Sequence, residues 1–250
     1  MYSILVHMKF IIFTIIFLSS FNYLFSQDDL FVEIGAGFNG SDNSVFSNRL
    51  SSFQPRDLNN KPILYRSAAF SNTGLSLQAT STVSFGNLIL NATLSNVYFP
   101  KVFSINEYNS NRSEYKLSNF ELGIAFGYPI VRNSGFILFP FIQGSLTRYN
   151  LSFNNNNLLP IPFFEGDNVL PGEIANYTAN GPRASIGLAF DKVLSNSEIG
   201  LIIGSRITFG KMLSSAQWEQ NNSLVKNGGN SPCNCGATIT LNFGYGKINK

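Results

Sequence analysis

The chain has 250 residues, and only 12% of them are charged, against about 25% in ordinary soluble domains. The aromatic share is 14%, carried mainly by 24 Phe, so few charges are available to solvate a conventional surface. The net charge of +3 is small and the lysines and arginines are scattered, which excludes the basic stripe of a nucleic-acid-binding protein.

The N-terminus is typical of an export signal. Lys9 is followed by the apolar run FIIFTIIFL, and the small residue Ser26 closes the segment. The run falls within the roughly 7–15 residues of a signal's apolar region and is shorter than the roughly 20 of a membrane-spanning helix. We therefore predict a cleaved signal peptide over residues 1–26, with Met8 as an alternative start, and a mature domain over residues 27–250. A single N-terminal membrane anchor is the alternative.

Beyond the signal, apolar and polar residues alternate repeatedly, whereas no stretch keeps the i, i+3, i+4 apolar spacing of a helix. This pattern predicts an all-β chain. We count eight candidate strands, at residues 28–38, 74–85, 88–99, 116–129, 136–149, 182–191, 198–210 and 236–247. Most of them reach the roughly 9–11 residues that a tilted membrane-crossing strand needs.

The second and third candidate strands are joined by Gly86 and Asn87, where the apolar residues move from odd to even positions. A two-residue turn with Gly first suits a type II′ hairpin. Such a turn places Phe85 opposite Leu88, so the change in phase keeps the apolar residues of both strands on one face.

The connections alternate in length. Three are short, at residues 86–87, 131–135 and 192–197, and four are long, at about 39–73, 100–115, 150–181 and 211–235. In an antiparallel meander this order puts all of the short turns at one end and all of the long loops at the other. Transmembrane barrels have this asymmetry, with short periplasmic turns and longer extracellular loops.

The two faces of the predicted strands differ in chemistry. One face carries small, uncharged side chains, for example Gln78, Thr80, Thr82, Ser84, Thr238, Thr240 and Asn242. The other face carries large apolar ones, for example Ile34, Phe38, Leu122, Ile124, Phe126, Ile186, Leu188, Ile239 and Leu241. A soluble exterior would carry many Lys and Glu, so we predict that the apolar face contacts lipid in an eight-stranded antiparallel up-and-down transmembrane β-barrel. The alternative is a secreted soluble β-barrel that binds a small apolar ligand inside.

The fifth candidate strand departs from the pattern, because it is apolar on both faces and contains Pro140, which has no N–H for the ladder. A β-bulge at Pro140 would let Ile137 and Phe139 face outwards before it, and Ile142 after it. We therefore expect a bulge there.

Residues 27–250, with a preceding signal, eight strands and alternating loop lengths, resemble the small eight-stranded outer-membrane β-barrels of Gram-negative bacteria. The resemblance implies an outer-membrane location and contact with outer-membrane lipid. Members of that family often end in an aromatic residue that the assembly machinery recognises. This chain ends GYGKINK, so its last aromatic residue, Tyr245, is displaced from the terminus.

The resemblance also bears on activity. Lipid-modifying enzymes and proteases on this scaffold use a histidine as acid, base or partner to a nucleophile. The only histidine of the chain is His7, within the predicted signal. A mature chain without histidine cannot run a Ser-His mechanism, so we predict no enzyme activity, with chemistry by carboxylates alone as the alternative. The remaining roles on this scaffold are structural anchor, adhesion or immune-evasion protein, and accessory barrel of a secretion system.

Four charged residues fall on the predicted inward face: Glu33, Glu121, Arg183 and Arg206. A charge inside a narrow barrel must be paired or hydrated. We therefore predict an interior polar network of these four residues, with Arg148 as a further candidate, and expect it to plug the lumen. Eight strands enclose room for side chains and little else, so a wide pore is not expected.

Two short motifs are interpreted structurally, and we predict no cofactor and no metal. Residues 35–40 match G-x-G-x-x-G, but no helix follows that could receive a phosphate. Cys233 and Cys235 could form a disulfide in an oxidising compartment, although the ring would be small and strained. Two thiols without a nearby histidine leave a metal ligand set incomplete.

Binding chemistry is expected in the long loops, because small barrels carry variable function there. The loop at 150–181 contains a contact patch of five apolar residues, Leu158, Leu159, Ile161, Phe163 and Phe164. The simpler interpretation is that the patch packs on the barrel rim, and the alternative is that it is exposed and contacts a protein partner.

Overall fold

The structure is a computed structural model that describes residues 29–43, 65–67, 71–106, 112–133, 135–156, 169–194, 199–214, 217–220, 223–224 and 235–248. Within these ranges the regular elements are thirteen β-strands: β1 (Asp29–Ser41), β2 (Tyr65–Ser67), β3 (Thr73–Phe85), β4 (Leu88–Tyr98), β5 (Val102–Asn106), β6 (Arg112–Gly127), β7 (Val131–Asn133), β8 (Phe136–Asn154), β9 (Ile174–Val193), β10 (Ile199–Met212), β11 (Trp218–Gln220), β12 (Ser223–Leu224) and β13 (Gly236–Lys247). The described part of the chain contains no helix with the length and hydropathy that a membrane crossing requires. The predicted signal, residues 1–26, lies outside the described residues.

The eight long strands form a closed antiparallel ring. Each pairs with the next long strand along the chain, in the order β1, β3, β4, β6, β8, β9, β10 and β13, and β13 pairs back with β1. The closing pair runs from Leu30 opposite Lys247 to Ser41 opposite Gly236. The predicted eight-stranded up-and-down barrel is thereby confirmed, and its ring leaves no long unpaired edge.

The register sets the width of the barrel. The pairing can be followed from residue to residue around the ring, starting at Ile202 of β10. It returns to β10 at Met212, ten positions further along the strand. A staggered eight-stranded ring has strands tilted by about 35–45° and an interior just wide enough to be filled by side chains. Side chains therefore determine whether the barrel has a lumen.

The turn between β3 and β4 has the predicted register. Phe85 lies opposite Leu88 and Val83 opposite Leu90. Gly86 has a φ of +56°, which is the left-handed conformation that both primed hairpin turns require at the first central residue. The change in apolar phase at this glycine is therefore the signature of the turn.

Large apolar side chains cover the outside of the middle of the barrel. Exposed on the outer face are, among others, Ile34, Phe38, Leu122, Ile124, Phe126, Ile142, Leu146, Ile186, Leu188, Leu201, Ile239, Leu241 and Phe243. Ile34, Ile142 and Leu146 have 63–69% of their surface exposed. Such a continuous band is unstable in water and suits the hydrocarbon layer of a membrane. The alternative of a soluble barrel is therefore wrong, because it requires these side chains inside.

Three strands continue beyond this apolar band towards the long loops. We call residues 112–119 of β6, 148–154 of β8 and 174–181 of β9 the projecting segment. Apart from Ile174, its outward side chains are polar, and most of its inward ones are apolar, with Leu117, Leu151 and Tyr177 almost fully buried. The two faces have thus exchanged character relative to the band, as expected where the strands leave lipid and enter water. The short strands β5 and β11 extend this sheet beside β6 and β9.

The bulge expected at Pro140 is absent. β8 keeps one register with β9 along its whole length and with β6 from Phe141 to Asn154, so Ile137 and Phe139 face inwards and are fully buried. The carbonyl of Pro140 accepts from the N–H of Tyr128, just beyond the end of β6. In an antiparallel strand, the carbonyl and the nitrogen of one residue point towards the same neighbouring strand. The nitrogen of Pro140, which has no hydrogen to donate, therefore points to where β6 has already ended, and no ladder hydrogen bond is lost there.

The limits of the apolar band can be tested on one face of β8. We expect Ile142→Arg, in the band, to lower the free energy of unfolding by about 2–4 kcal/mol, since lipid must then accommodate a charge. Asn150→Arg, on the same face in the projecting segment, should cost at most about 1 kcal/mol. Urea unfolding in phospholipid vesicles measures both. Equal costs at the two positions would contradict the proposed membrane boundary.

Candidate functional site

The interior of the barrel is arranged in three layers. An apolar cluster that includes Phe31 and Phe139 lies next to the short turns, and a second one that includes Tyr149 and Trp218 lies next to the long loops. The inward side chains of β8 pass through all three layers, in the order Ile137, Phe139 and Phe141, then Gln143, Ser145 and Thr147, then Tyr149, Leu151 and Phe153. The middle layer is polar, and the charged residues predicted from the sequence lie in it.

One ion pair of the middle layer joins β6 to β9. Nη1 of Arg183 lies 2.6 Å from Oε2 of Glu121, and both side chains are almost fully buried. The other carboxylate oxygen of Glu121 accepts from Nε2 of Gln143 at 3.0 Å. The Glu121 carboxylate thus has a partner on each oxygen, which is what a buried charge requires.

The second ion pair joins β1 to β10. Nη2 of Arg206 lies 2.5 Å from Oε2 of Glu33 and 3.3 Å from Oγ1 of Thr82. The carboxylate of Asp191 on β9 is also close, with Oδ2 at 3.7 Å from the same nitrogen. Asp191 is fully buried, and neither of its oxygens accepts a hydrogen bond from any described residue. Two carboxylates therefore share one guanidinium in this group.

A glycine provides the space for this acidic pair. A methyl group on Gly204 of β10 would overlap Oδ1 of Asp191 and come within 2.6 Å of Oε1 of Glu33. The two carboxylates therefore converge on the bare backbone of Gly204. A side chain at this position would displace one of them, because protein interiors are close-packed.

A third charged contact lies nearer the short turns. Nη2 of Arg132 on β7 is 2.8 Å from Oδ2 of Asp29, and Oγ of Ser84 donates to the same oxygen at 2.7 Å. Nη1 of Arg132 also donates to the carbonyl of Gly86 at 2.8 Å. This contact ties the start of β1 to two of the short turns.

The structure places the remaining predicted residues as follows. Arg148 is exposed on the outer wall, where its Nε donates to Oδ1 of Asn150 at 3.3 Å, so its inclusion in the interior network is wrong. The reason is register, since even-numbered residues of β8 face outwards. The loop patch of Leu158, Leu159, Ile161, Phe163 and Phe164 lies outside the described residues, as does Cys233. Cys235 is exposed immediately before β13, and its pairing with Cys233 stays a prediction.

The polar interior consists of ion pairs that lie between two apolar clusters. Its carboxylates face arginines rather than an open cleft, and its ends are closed by apolar clusters. The described residues include no group of three or more His, Cys, Asp or Glu that could hold a metal ion. The closed ring, the exposed apolar band and this paired interior are together the features of a transmembrane β-barrel of the outer-membrane type.

Comparison with known proteins gives likenesses of fold. No protein-family model and no curated protein sequence matches the chain. Among solved structures, the Neisserial surface protein A is 10% identical, with 87% of this chain and 96% of that one covered and a TM-score of 0.42. The outer membrane protein OprG from Pseudomonas aeruginosa is 12% identical, with coverages of 88% and 96% and a TM-score of 0.45. A major outer membrane protein from Thermus thermophilus is 10% identical, with coverages of 89% and 99% and a TM-score of 0.47. The fold of the present chain is established independently of these likenesses, by its strand pairing and apolar band.

The shared guanidinium of Arg206 leads to unequal effects of two neutralising substitutions. Arg206→Gln leaves Glu33 and Asp191 buried together without a counter-charge, so we expect a loss of about 3–5 kcal/mol in the free energy of unfolding. Asp191→Asn removes the carboxylate that makes no hydrogen bond with the described residues and also relieves its repulsion from Glu33. We expect a change within about 1 kcal/mol. Urea titration of the two variants in vesicles would contradict this account if both lost the same stability.

The space at Gly204 can be tested with a matched glycine on the outer face. Gly204→Ala forces a methyl group against two buried carboxylates, and we expect it to cost about 1–3 kcal/mol, the usual range for overpacking. Gly144→Ala is the control, because a methyl group there meets no heavy atom within 4 Å. It should be neutral or slightly stabilising. The heat-induced shift in gel mobility of the folded barrel, followed against temperature, compares the two, and equal transition temperatures would refute the assignment.

Proposed function

We propose that the protein is an outer-membrane β-barrel that neither conducts solutes nor catalyses a reaction, and that it acts as a structural or interaction protein through its long loops. The filled interior carries this proposal. Two ion pairs occupy the middle of the lumen, and apolar clusters close both of its ends. Conduction would need water-lined space along the axis, which an eight-stranded ring filled in this way does not provide.

The absence of catalysis is supported by the chemistry of the buried groups. Glu33 and Glu121 are each held by an arginine at 2.5–2.6 Å. A general base must instead reach a substrate from an accessible cleft. With His7 within the predicted signal, the domain over residues 27–250 has no histidine to take that role.

A role for the loops follows from the asymmetry of the barrel. The connections after β1, β4, β8 and β10 are the long ones, and they lie at the same end as the projecting segment. In outer-membrane barrels the long loops face the cell exterior. A rigid barrel that holds these loops above the membrane is suited to presenting them to another protein, and an accessory role in a secretion system is a narrower form of the same proposal.

The closed lumen can be tested by reconstitution. We expect vesicles containing the folded protein to swell in small sugars at the rate of protein-free vesicles, with an open porin as the positive control. The variant Glu121→Ala, Arg183→Ala should also stay closed, because both apolar clusters remain. Sugar influx through the unsubstituted protein would overturn the proposal. Influx through the double variant alone would assign the closure to the ion pair rather than to the clusters.

The role of the loops can be tested in intact cells. A photo-crosslinking amino acid at Phe163, in the predicted contact patch, should give a discrete protein adduct. The same amino acid at Ile199, at the short-turn end of β10, is the matched control and should not give that adduct. Absence of an adduct at Phe163, or the same adduct at both positions, would contradict a partner at the long loops.

A further inference from the structure

On β6 and β8 the outer wall changes from apolar to polar across one mixed row, in which Phe120 lies opposite Arg148. On β6 and β8, Leu122 and Leu146 lie opposite each other and are exposed at the upper limit of the apolar band. Two rows further towards the long loops, Ser118 lies opposite Asn150. The next row contains Lys116. A membrane lipid whose acyl chains contact the leucines would carry its headgroup at the level of these polar rows.

A groove of about 560 Å³ lies on this part of the wall. Its lining includes Tyr98, Lys101, Lys116, Arg148, Asn150 and Thr178. We call it the basic groove.

The basic groove carries an excess of positive charge. The ammonium groups of Lys101 and Lys116 each lie 3.0 Å from the same oxygen, Oε1 of Glu114. The side chains of both lysines are more than half exposed, so their remaining N–H groups face solvent. The hydrogen bond that Arg148 makes with Asn150 leaves the charge of its guanidinium uncompensated. Among the described residues, three cations of the groove thus face one carboxylate, and Glu219 lies beyond Thr178 on β11, outside the groove lining.

Glu114 holds the two lysine ammonium groups close together and compensates the charge of only one of them. It lies above the apolar band, and hydrogen bonds from Lys116 and Lys101 hold the pKa of its carboxyl below the ordinary value. It therefore stays ionised at neutral pH. Because both 3.0 Å contacts end on one oxygen, the two ammonium nitrogens are at most about 6 Å apart. Two cations at this spacing can contact different oxygens of one phosphate group.

We propose that the basic groove binds the phosphorylated headgroup of an outer-leaflet glycolipid, whose acyl chains lie against the apolar band below it. Lys101, Lys116 and Arg148 contact the phosphate, while the Tyr98 hydroxyl and the amide of Asn150 contact sugar hydroxyls. This inference rests on the proposed orientation, with the long loops on the outer face. The continuity of the groove with the lipid-facing wall favours a lipid over a soluble anion.

The chain offers a matched pair of variants for the test. Lys116→Gln, Arg148→Gln leaves Lys101 and Glu114 as a neutral pair and removes the excess charge of the groove. Lys192→Gln, Lys211→Gln removes the same charge from exposed positions on β9 and β10 outside the groove. Both variants should keep the heat-induced mobility shift of the folded barrel, because all four side chains are exposed on the outer wall.

Binding is measured on the folded, detergent-solubilised full chain by native mass spectrometry, with diphosphorylated lipid A as the probe and its dephosphorylated form as the comparison. We expect the groove variant to bind diphosphorylated lipid A roughly 10- to 30-fold more weakly than the unsubstituted protein, and the control variant to bind it unchanged. The dephosphorylated form should bind all three proteins weakly and equally.

Three results would overturn the proposal: equal affinity of the groove and control variants, equal affinity for the two forms of the probe, or stronger groove-dependent binding of a soluble acidic protein than of lipid A. The proposed function fails separately, if loop-directed labelling of intact cells shows the long loops on the periplasmic side while binding in detergent is retained. That result would also remove the outer-leaflet lipid as the natural occupant.

Discussion

The pairing of β13 with β1 is the constraint on which the rest of the structure depends. Hydrocarbon offers no hydrogen-bonding partner, so each backbone N–H and C=O of a spanning strand must find one within the protein, and only a closed sheet achieves this. The prolines show how strict the requirement is. Pro140 and Pro182 lie within long strands, yet each directs its missing donor to a place where the adjacent strand has ended, beside Tyr128 and Leu213.

Closure fixes the interior volume, and the volume in turn fixes the chemistry inside. In a space filled by side chains a charge cannot keep a hydration shell, so its partner must be another side chain. The partners lie on strands that are not neighbours in the ring. Glu33 and Arg206 lie on either side of β13, and Glu121 and Arg183 on either side of β8. A slip of one residue in a strand that carries one of these charges would place that charge on the lipid face, so these pairs specify the register as well as contribute to stability.

The barrel fold could be predicted from the sequence because the sequence patterns that indicate it are local. Period-two alternation located all eight long strands, and the phase change at Gly86 predicted the register of the first short hairpin. Prediction was weaker where a distant strand decides the outcome. Asp191 was assigned only to the end of a strand, because its approach to Arg206 depends on the pairing of β9 with β10. Arg148 is a different case, because it shares the outward face of β8 with Ile142, so alternation within the strand already places it outside the interior network.

The projecting segment explains why the alternation pattern predicts β8 and β9 to be shorter than they are. Residues 150–154 and 174–181 alternate as strands should, but their apolar residues occupy the positions that face inwards, opposite to those of the band. A search for one continuous apolar face interprets that reversal as the start of a loop. The reversal has a different cause. The environment outside the sheet changes from lipid to water, and the layer inside it changes from polar side chains to an apolar cluster. In a strand of nineteen residues such as β8, the position of the reversal marks the membrane surface, and Leu146 and Arg148 lie on either side of it.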